Sequence, residues 1–317
     1  MAHSHLILNS PVARGFEVIG DRWTSLILRD AFLGVSRFQE FHDSTGAARG
    51  TLTLRLNMLV ENGVLHKRLY QESPPRYDYR LTPKGLALYP SALAIWDWET
   101  RWNKDSDIPS TLIHRSCGKS MRPLFLCQEC RLPIKIREVT FRPVNAPGEE
   151  IHRSNGNRRR STTNRSSVRH GDKNSLHVLD IIGDRWTGLV IAALYFGLRR
   201  YDGIGSALSI ATNILADRLK MLVSTEMVSR VPYQDNPVRY EYRLTDRGRD
   251  LYLHTLQIHQ WANRWVLQPG EATLMLEHNP CGHELFSDVV CNECEESLKY
   301  TDIEFDRDFV PNRKRIG

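Results

Sequence analysis

Ile19-Gly20-Asp21-Arg22-Trp23-Thr24 returns as Ile182-Gly183-Asp184-Arg185-Trp186-Thr187, and Arg76-Tyr77-Asp78-Tyr79-Arg80-Leu81-Thr82 returns as Arg239-Tyr240-Glu241-Tyr242-Arg243-Leu244-Thr245. Both pairs sit 163 positions apart. Roughly 33 of the 84 positions from Ile19 to Trp102 repeat at this offset without a gap, so the chain is a fused tandem pair of one domain.

Read outward from the first motif, Val12 to Ile19 is a short amphipathic helix. Asp21 can cap a second helix from Arg22 to about Phe32, which Gly34 ends. A third spans about Arg37 to Asp43. A fourth runs from about Arg49 to Asn62, with Leu52, Leu56, Leu59 and Val60 at helical spacing, and Gly63 closes it. The period then changes: Val64–Tyr70 and Arg76–Leu81 alternate like strands around the turn Ser73-Pro74-Pro75. After Thr82-Pro83 a long helix is predicted to reach about Trp102. Three helices, a β-hairpin and a final helix make a winged helix-turn-helix, and the order repeats from about Ser175 to Trp265. The fold class is α+β, mainly helical.

With these residues the sequence resembles the HxlR-type family of bacterial winged-helix transcription regulators, relatives of the MarR type. The resemblance rests on Pro11-Val12, Ile19 to Thr24, Leu52, Arg55-Leu56, Leu59, Tyr70, Arg76 to Thr82 and Gly85. In the second copy it rests on Ile182 to Thr187, Leu215, Arg218-Leu219, Leu222, Tyr233, Arg239 to Thr245 and Gly248. It implies a DNA-binding regulator, a repressor by expectation, whose partner is double-stranded DNA. Family members often carry a Cys just before the Pro-Val, and some sense oxidants through it; here that position is Ser10, so the thiol-switch reading loses its usual residue. Relatives mostly have one domain and act as homodimers. In this chain the two copies can form an internal pseudo-dimer through the last helix, or that helix can join two chains as a homodimer. The Trp pairs Trp98/Trp102 and Trp261/Trp265 lie at i and i+4 on it.

A winged helix puts its recognition helix in the major groove and its wing on the backbone or minor groove. The recognition helices are expected at Arg49–Asn62 and Thr212–Thr225. The first offers Arg49, Thr51, Thr53, Arg55 and Asn57 to DNA; the second offers Thr212, Asn213, Arg218 and Lys220, with the small residue Ala216 on the same stretch. Arg reads guanine edges, Asn reads adenine, and Thr reaches phosphate or the thymine methyl group. Arg76 and Arg239 beside the wing tips are candidates for phosphate or minor-groove contact. Arg55 and Arg218 are shared by both copies, so phosphate contact or a structural ion pair suits them better than base choice. The remaining positions differ between copies and imply an asymmetric operator.

All six cysteines follow one rule. His114-x2-Cys117-x9-Cys127-x2-Cys130 is repeated as His278-x2-Cys281-x9-Cys291-x2-Cys294. Two knuckles of two ligands each supply the four donors of a tetrahedral structural metal. The expectation is two structural Zn²⁺ ions per chain. Each is closed by the four residues of one copy within a small zinc-ribbon-like module, and strand-like sequence follows at Ile134–Val139 and Leu298–Ile303. A closed four-ligand site leaves no open position for catalysis.

The organisation read from these signals is a winged helix-turn-helix over 1–105, a zinc-ribbon-like module over 106–142 and a basic flexible linker over 143–173. A second winged helix-turn-helix follows over 174–268 and a second module over 269–310. The linker carries Arg153, Arg158-Arg159-Arg160, Arg165, Arg169 and Lys173; some 30 flexible residues reach about 30 Å. Formal charge is +6 and the pI about 9.0, which suits a polyanionic partner. No apolar run approaches a membrane span of about 18 residues, no signal peptide opens the chain, and a cytoplasmic location follows. No phosphate loop, nucleophile elbow or open metal site points to an enzyme. The alternative to a regulator is a polymerase-associated or protein-interaction scaffold of winged-helix plus zinc-ribbon type. Neither the operator nor any small-molecule effector is legible.

Overall fold

A computed structural model describes residues 6–103, 108–144, 179, 181 and 183–305. The first copy opens with α1 (Pro11–Ile19), capped by the Ser10 hydroxyl, which accepts from the Ala13 N–H. Helix α2 (Arg22–Phe32) follows, its first turn held by Asp21, which accepts from the amides of Trp23 and Thr24. Helices α3 (Phe38–Thr45) and α4 (Arg49–Glu61) complete the helix-turn-helix. Leu52, Leu56 and Leu59 of α4 are buried, and each such side chain contributes roughly 2 kcal/mol of apolar burial. The wing is the antiparallel hairpin β1 (Leu65–Gln71) and β2 (Arg76–Leu81).

The predicted long helix after the wing is two helices, α5 (Pro83–Leu86) and α6 (Tyr89–Trp102). Gly85 lies so close to the Val64 carbonyl that an added Cβ would stand 2.2 Å from its oxygen, which fixes α5 on the wing base while α6 turns away. The second copy breaks at the same point, where Gly248 meets the Met227 carbonyl in the same way. That copy comprises α7 (Arg185–Tyr195), α8 (Tyr201–Leu208), α9 (Thr212–Ser224), β7 (Val228–Asp235), β8 (Val238–Leu244), α10 (Asp246–Asp250) and α11 (Tyr252–Trp265).

Beyond α6 the first copy continues as β3 (Leu112–His114), β4 (Lys119–Met121), β5 (Pro123–Cys127) and β6 (Val139–Pro143). The second continues as β9 (Leu274–His278), β10 (His283–Glu284), β11 (Ser287–Cys291) and β12 (Ile303–Phe305). The predicted strands at 134–139 and 298–303 are displaced. A 3-10 turn occupies Ile136–Glu138 and Tyr300–Asp302, and the strands begin where they were expected to end.

The two copies are interleaved. Strand β12 of the second pairs with β3 of the first, Ile303 opposite His114, and β6 of the first pairs with β9 of the second, Val139 opposite His278. Strands β5 and β11 pair antiparallel with Phe125 opposite its own counterpart Val289. Asp21 bridges Asp184, and Ser91 Oγ lies 2.9 Å from His254 Nδ1. Both are pairs of equivalent positions at the 163-residue offset. The indole of Trp98 donates to the Arg247 carbonyl at 2.8 Å and that of Trp261 to the Lys84 carbonyl at 2.9 Å. These contacts are reciprocal and define an approximate two-fold axis within one chain.

Helix α1 lies against α11 through Gly15, where a Cβ would stand 2.7 Å from Ile258. The apolar core accordingly runs from Phe16, Ile27 and Leu56 of the first copy to Ile258 and Trp261 of the second. The expected linker over 143–173 lies, beyond its first two residues, outside the described residues.

Candidate DNA-reading face and metal centres

Burial divides the recognition helices cleanly. On α4, Arg49, Thr53, Leu54 and Asn57 are exposed and Thr51 is half-buried; on α9, Thr212, Asn213, Ala216, Asp217 and Lys220 are exposed. Both helices begin at an alanine, Ala48 and Ala211, with no side-chain cap. Their first amides are left for another acceptor. Arg49 donates to Gln39 at 2.9 Å, so α3 steadies it.

Arg55 and Arg218, expected from sequence to serve phosphate contact or a structural ion pair, each form an ion pair. Both are half-buried. Arg55 Nε lies 3.1 Å from Asp21 and Arg218 Nε lies 2.6 Å from Asp184. The same aspartates cap α2 and α7, and Asp21 and Asp184 touch across the two copies. The shared motif is thus a brace from recognition helix to copy interface. Its glycine is required because a Cβ on Gly20 would sit 2.4 Å from the Phe16 carbonyl oxygen, and one on Gly183 2.2 Å from that of Leu179.

In the wings Arg76 and Arg239 are exposed where the strands turn. The intervening acid has a different task. Asp78 is 4% exposed and receives Arg68 at 2.9 Å and Arg80 at 3.0 Å. Hydrogen bonding from Arg68, then from Arg80, holds its carboxyl below the ordinary range. Its neighbour Tyr79 donates a backbone N–H to Ser36 at 2.7 Å, sewing the wing to the entry of α3. Glu241 meets Arg243 at 3.1 Å and Arg200 at 3.6 Å to the same end. The tyrosines pack within the hairpins: Tyr79 is buried, Lys67 stands 3.9 Å from the Tyr77 ring and Arg230 stands 4.0 Å from that of Tyr240.

The eight candidate metal ligands do assemble into two groups of four, but not copy by copy. His114 and Cys117 of the first copy meet Cys291 and Cys294 of the second; Cys127 and Cys130 of the first meet His278 and Cys281 of the second. The expectation of one site closed within each module is therefore corrected. The reason is extension: β4 and β5 carry the chain away from the first knuckle, and in the β5–β11 register Cys127 faces Ser287 while Cys291 faces Pro123, so the two knuckles of one copy lie at opposite ends of the pair. Each knuckle reaches instead the complementary knuckle brought by the symmetric β5–β11 pair.

The geometry is that of a ligand set. Four donor atoms lie within 4.8 Å of one another in each group. His114 Nδ1 is 3.5 Å from Cys117 Sγ and 3.2 Å from Cys294 Sγ; Cys117 and Cys291 sulfurs are 4.0 Å apart. The second group gives 3.5 Å from His278 Nδ1 to Cys281, 3.3 Å to Cys130, and 3.9 Å between Cys127 and Cys281. Tetrahedral bonds of about 2.3 Å to sulfur and 2.0–2.1 Å to nitrogen separate ligands by about 3.5–3.8 Å. Both histidines are buried completely, and all six cysteines are free thiols. Backbone N–H groups of Lys119 and Leu132 aimed at Cys117 and Cys130 hold those thiols below their ordinary range, whereas burial pushes Cys127 up and, against a Glu296 amide, burial and the neighbouring Cys291 carry Cys294 up to about 11.

Two winged helices, braced alike and joined by crossed Cys/His groups, describe a helix-turn-helix protein duplicated within one chain. The HxlR-like helix-turn-helix model matches residues 18–107 and again 181–269, more than half of the chain, and the protein belongs to that family. An HTH-type transcriptional regulator of Mycobacterium tuberculosis, itself uncharacterised, is 38% identical over 146 residues, 46% of this chain and 91% of the relative. The HTH-type transcriptional regulator YodB of Bacillus subtilis is 34% identical over 92 residues, 29% of this chain and 81% of its own. A crystal structure of a candidate transcription factor is 31% identical, covers 42% of this chain and 96% of that one, and superposes with a TM-score of 0.38. No helix of the described residues is long and apolar enough to cross a membrane.

Proposed function

We propose that this chain is a sequence-specific DNA-binding transcriptional regulator, working as an internal pseudo-dimer and repressing by occupying promoter DNA in the cytoplasm. The observation that carries the reading is the brace. Arg55 reaches Asp21, Arg218 reaches Asp184, and the two aspartates meet, so the recognition helices are tied to one point and their separation is a property of the folded chain. A pair of helices at fixed separation suits two half-sites about one turn, ~34 Å, apart.

Arg49, Thr51, Thr53 and Asn57 would read one half-site and Thr212, Asn213 and Lys220 the other, with Arg76 and Arg239 on the backbone or minor groove. The exposed residues differ: Leu54 stands where Asp217 stands, an apolar contact against an acid. An asymmetric operator follows. The ions assigned to the crossed sites are two structural Zn²⁺, one in His114/Cys117/Cys291/Cys294 and one in Cys127/Cys130/His278/Cys281, each a clasp between halves. Selection of binding sites from random duplexes, followed by footprinting with zinc present, tests the function. The expected result is a site with two unlike halves. No preferred site at moderate salt would overturn the reading; a perfect palindrome would overturn its asymmetry.

A further inference from the structure

Between α2 and α6 of the first half lies a cavity of about 150 Å³. Its walls are chiefly apolar, including Leu28, Phe32, Tyr89, Leu93 and Trp96. Ser91 and His254, the pair that meets on the two-fold axis, also border it, and both are buried. Burial drives the His254 pKa down to about 4, so the ring is neutral near pH 7. It shares one hydrogen bond with Ser91, whose hydroxyl keeps a further lone pair. Two charged side chains border the space, and both are engaged: Arg29 donates to Asp30 at 2.7 Å, and Glu99 accepts from Asn103 at 3.0 Å.

The equivalent space in the second half is only about 20 Å³, room for about one water. Phe196 replaces Leu33 there and Thr255 replaces Ala92. Phe196 fills it by packing on Phe141, ring centroids 4.8 Å apart. Ser10 and Val12 border it too; at the 163-residue offset their counterparts are the polar Lys173 and Ser175. Among the described residues, the first half therefore keeps an open cavity where the second half has almost none.

We propose that the first-half cavity binds one uncharged, single-ring aromatic molecule per chain, with a hydroxyl or similar group directed at Ser91 and His254. The size fits: apolar core cavities of about 150 Å³ admit a benzene-sized ligand. Arg29 is already paired with Asp30, so it offers no free charge to a carboxylate, and the chiefly apolar walls penalise a charged guest of either sign. Helix α2 packs on α4 as well as bordering the cavity, so occupancy lies one helix away from the DNA-reading face.

Fluorine NMR with 4-fluorophenol, fluorobenzene and 4-fluorobenzoate on the full zinc-loaded chain tests the site. The expected result is saturable binding of one fluorophenol per chain, weaker fluorobenzene and no benzoate. The double variant Leu33→Phe, Ala92→Thr carries the side chains of the second half, and should lower fluorophenol affinity about tenfold or more. If it does not fold, Ala92→Thr alone serves the same purpose. Two equivalents per chain, no saturable binding, preference for benzoate, or undiminished binding by a folded filled variant would each overturn the proposal. Binding is read here without DNA, so its failure and the failure of the regulator reading are separate results.

Discussion

Arg55 and Arg218 carry the account at the scale of single residues. Their repetition in both copies is explained by the aspartates they hold, not by a base edge. The Arg218–Asp184 pair is 17% and 21% exposed, between the surface regime and the buried one, so Arg218→Ala should cost about 1–2 kcal/mol. Thermal unfolding should register this as a fall of a few degrees. Arg49→Ala should leave the melting temperature almost unchanged yet weaken one half-site in a footprint. Asp78 makes a second prediction. Its folded pKa is depressed, so the stability it contributes is present above its unfolded value, about 4, and is lost as pH falls through the lower folded value. The stability gap between wild type and Asp78→Asn should therefore be constant near neutrality and close only below about pH 4, as melting curves across pH would show. A gap that closed near pH 7 would contradict it.

At the scale of elements, much was legible in the sequence. Helices α2, α4 and α9 start where cap and period place them, because Asp21 and the leucines at helical spacing act within a few residues. The wing was legible for the same reason. The break between α5 and α6 was not: it arises from the approach of Gly85 to Val64, a contact between segments about twenty positions apart. The metal ligands show the same division. The eight residues followed from His-x2-Cys and Cys-x2-Cys spacing, which is local. Their grouping depends on the register of β5 against β11, which spacing does not encode. The one-residue change of offset between domain and annex, from 163 to 164, was the visible trace that the annex is a separately aligned unit.

At the scale of the molecule, fusion converts a symmetric architecture into an asymmetric one. The framework pairs that meet on the axis are shared or compatible: Asp21 with Asp184, Trp98 and Trp261 with reciprocal carbonyls. The positions that face outward or enclose space have diverged: Leu54 against Asp217, Leu33 against Phe196. A single chain can hold such differences because the two halves never exchange partners. Salt should act on the whole assembly. DNA affinity should fall steeply between low and moderate salt, and Arg239→Ala should flatten that slope by about one while leaving site preference intact.

The crossed clasps are the central claim, because they make the duplication one body rather than two domains on a string. Metal content of paired cysteine variants tests it most directly, since crossed and uncrossed ligand sets give opposite answers. Cys117→Ser with Cys291→Ser removes two ligands from one crossed site and should leave one zinc per chain. Cys117→Ser with Cys127→Ser removes one ligand from each crossed site and should leave none bound tightly. The reverse pattern, with zinc retained when both substitutions fall in the first copy and lost when they fall in different copies, would contradict the account.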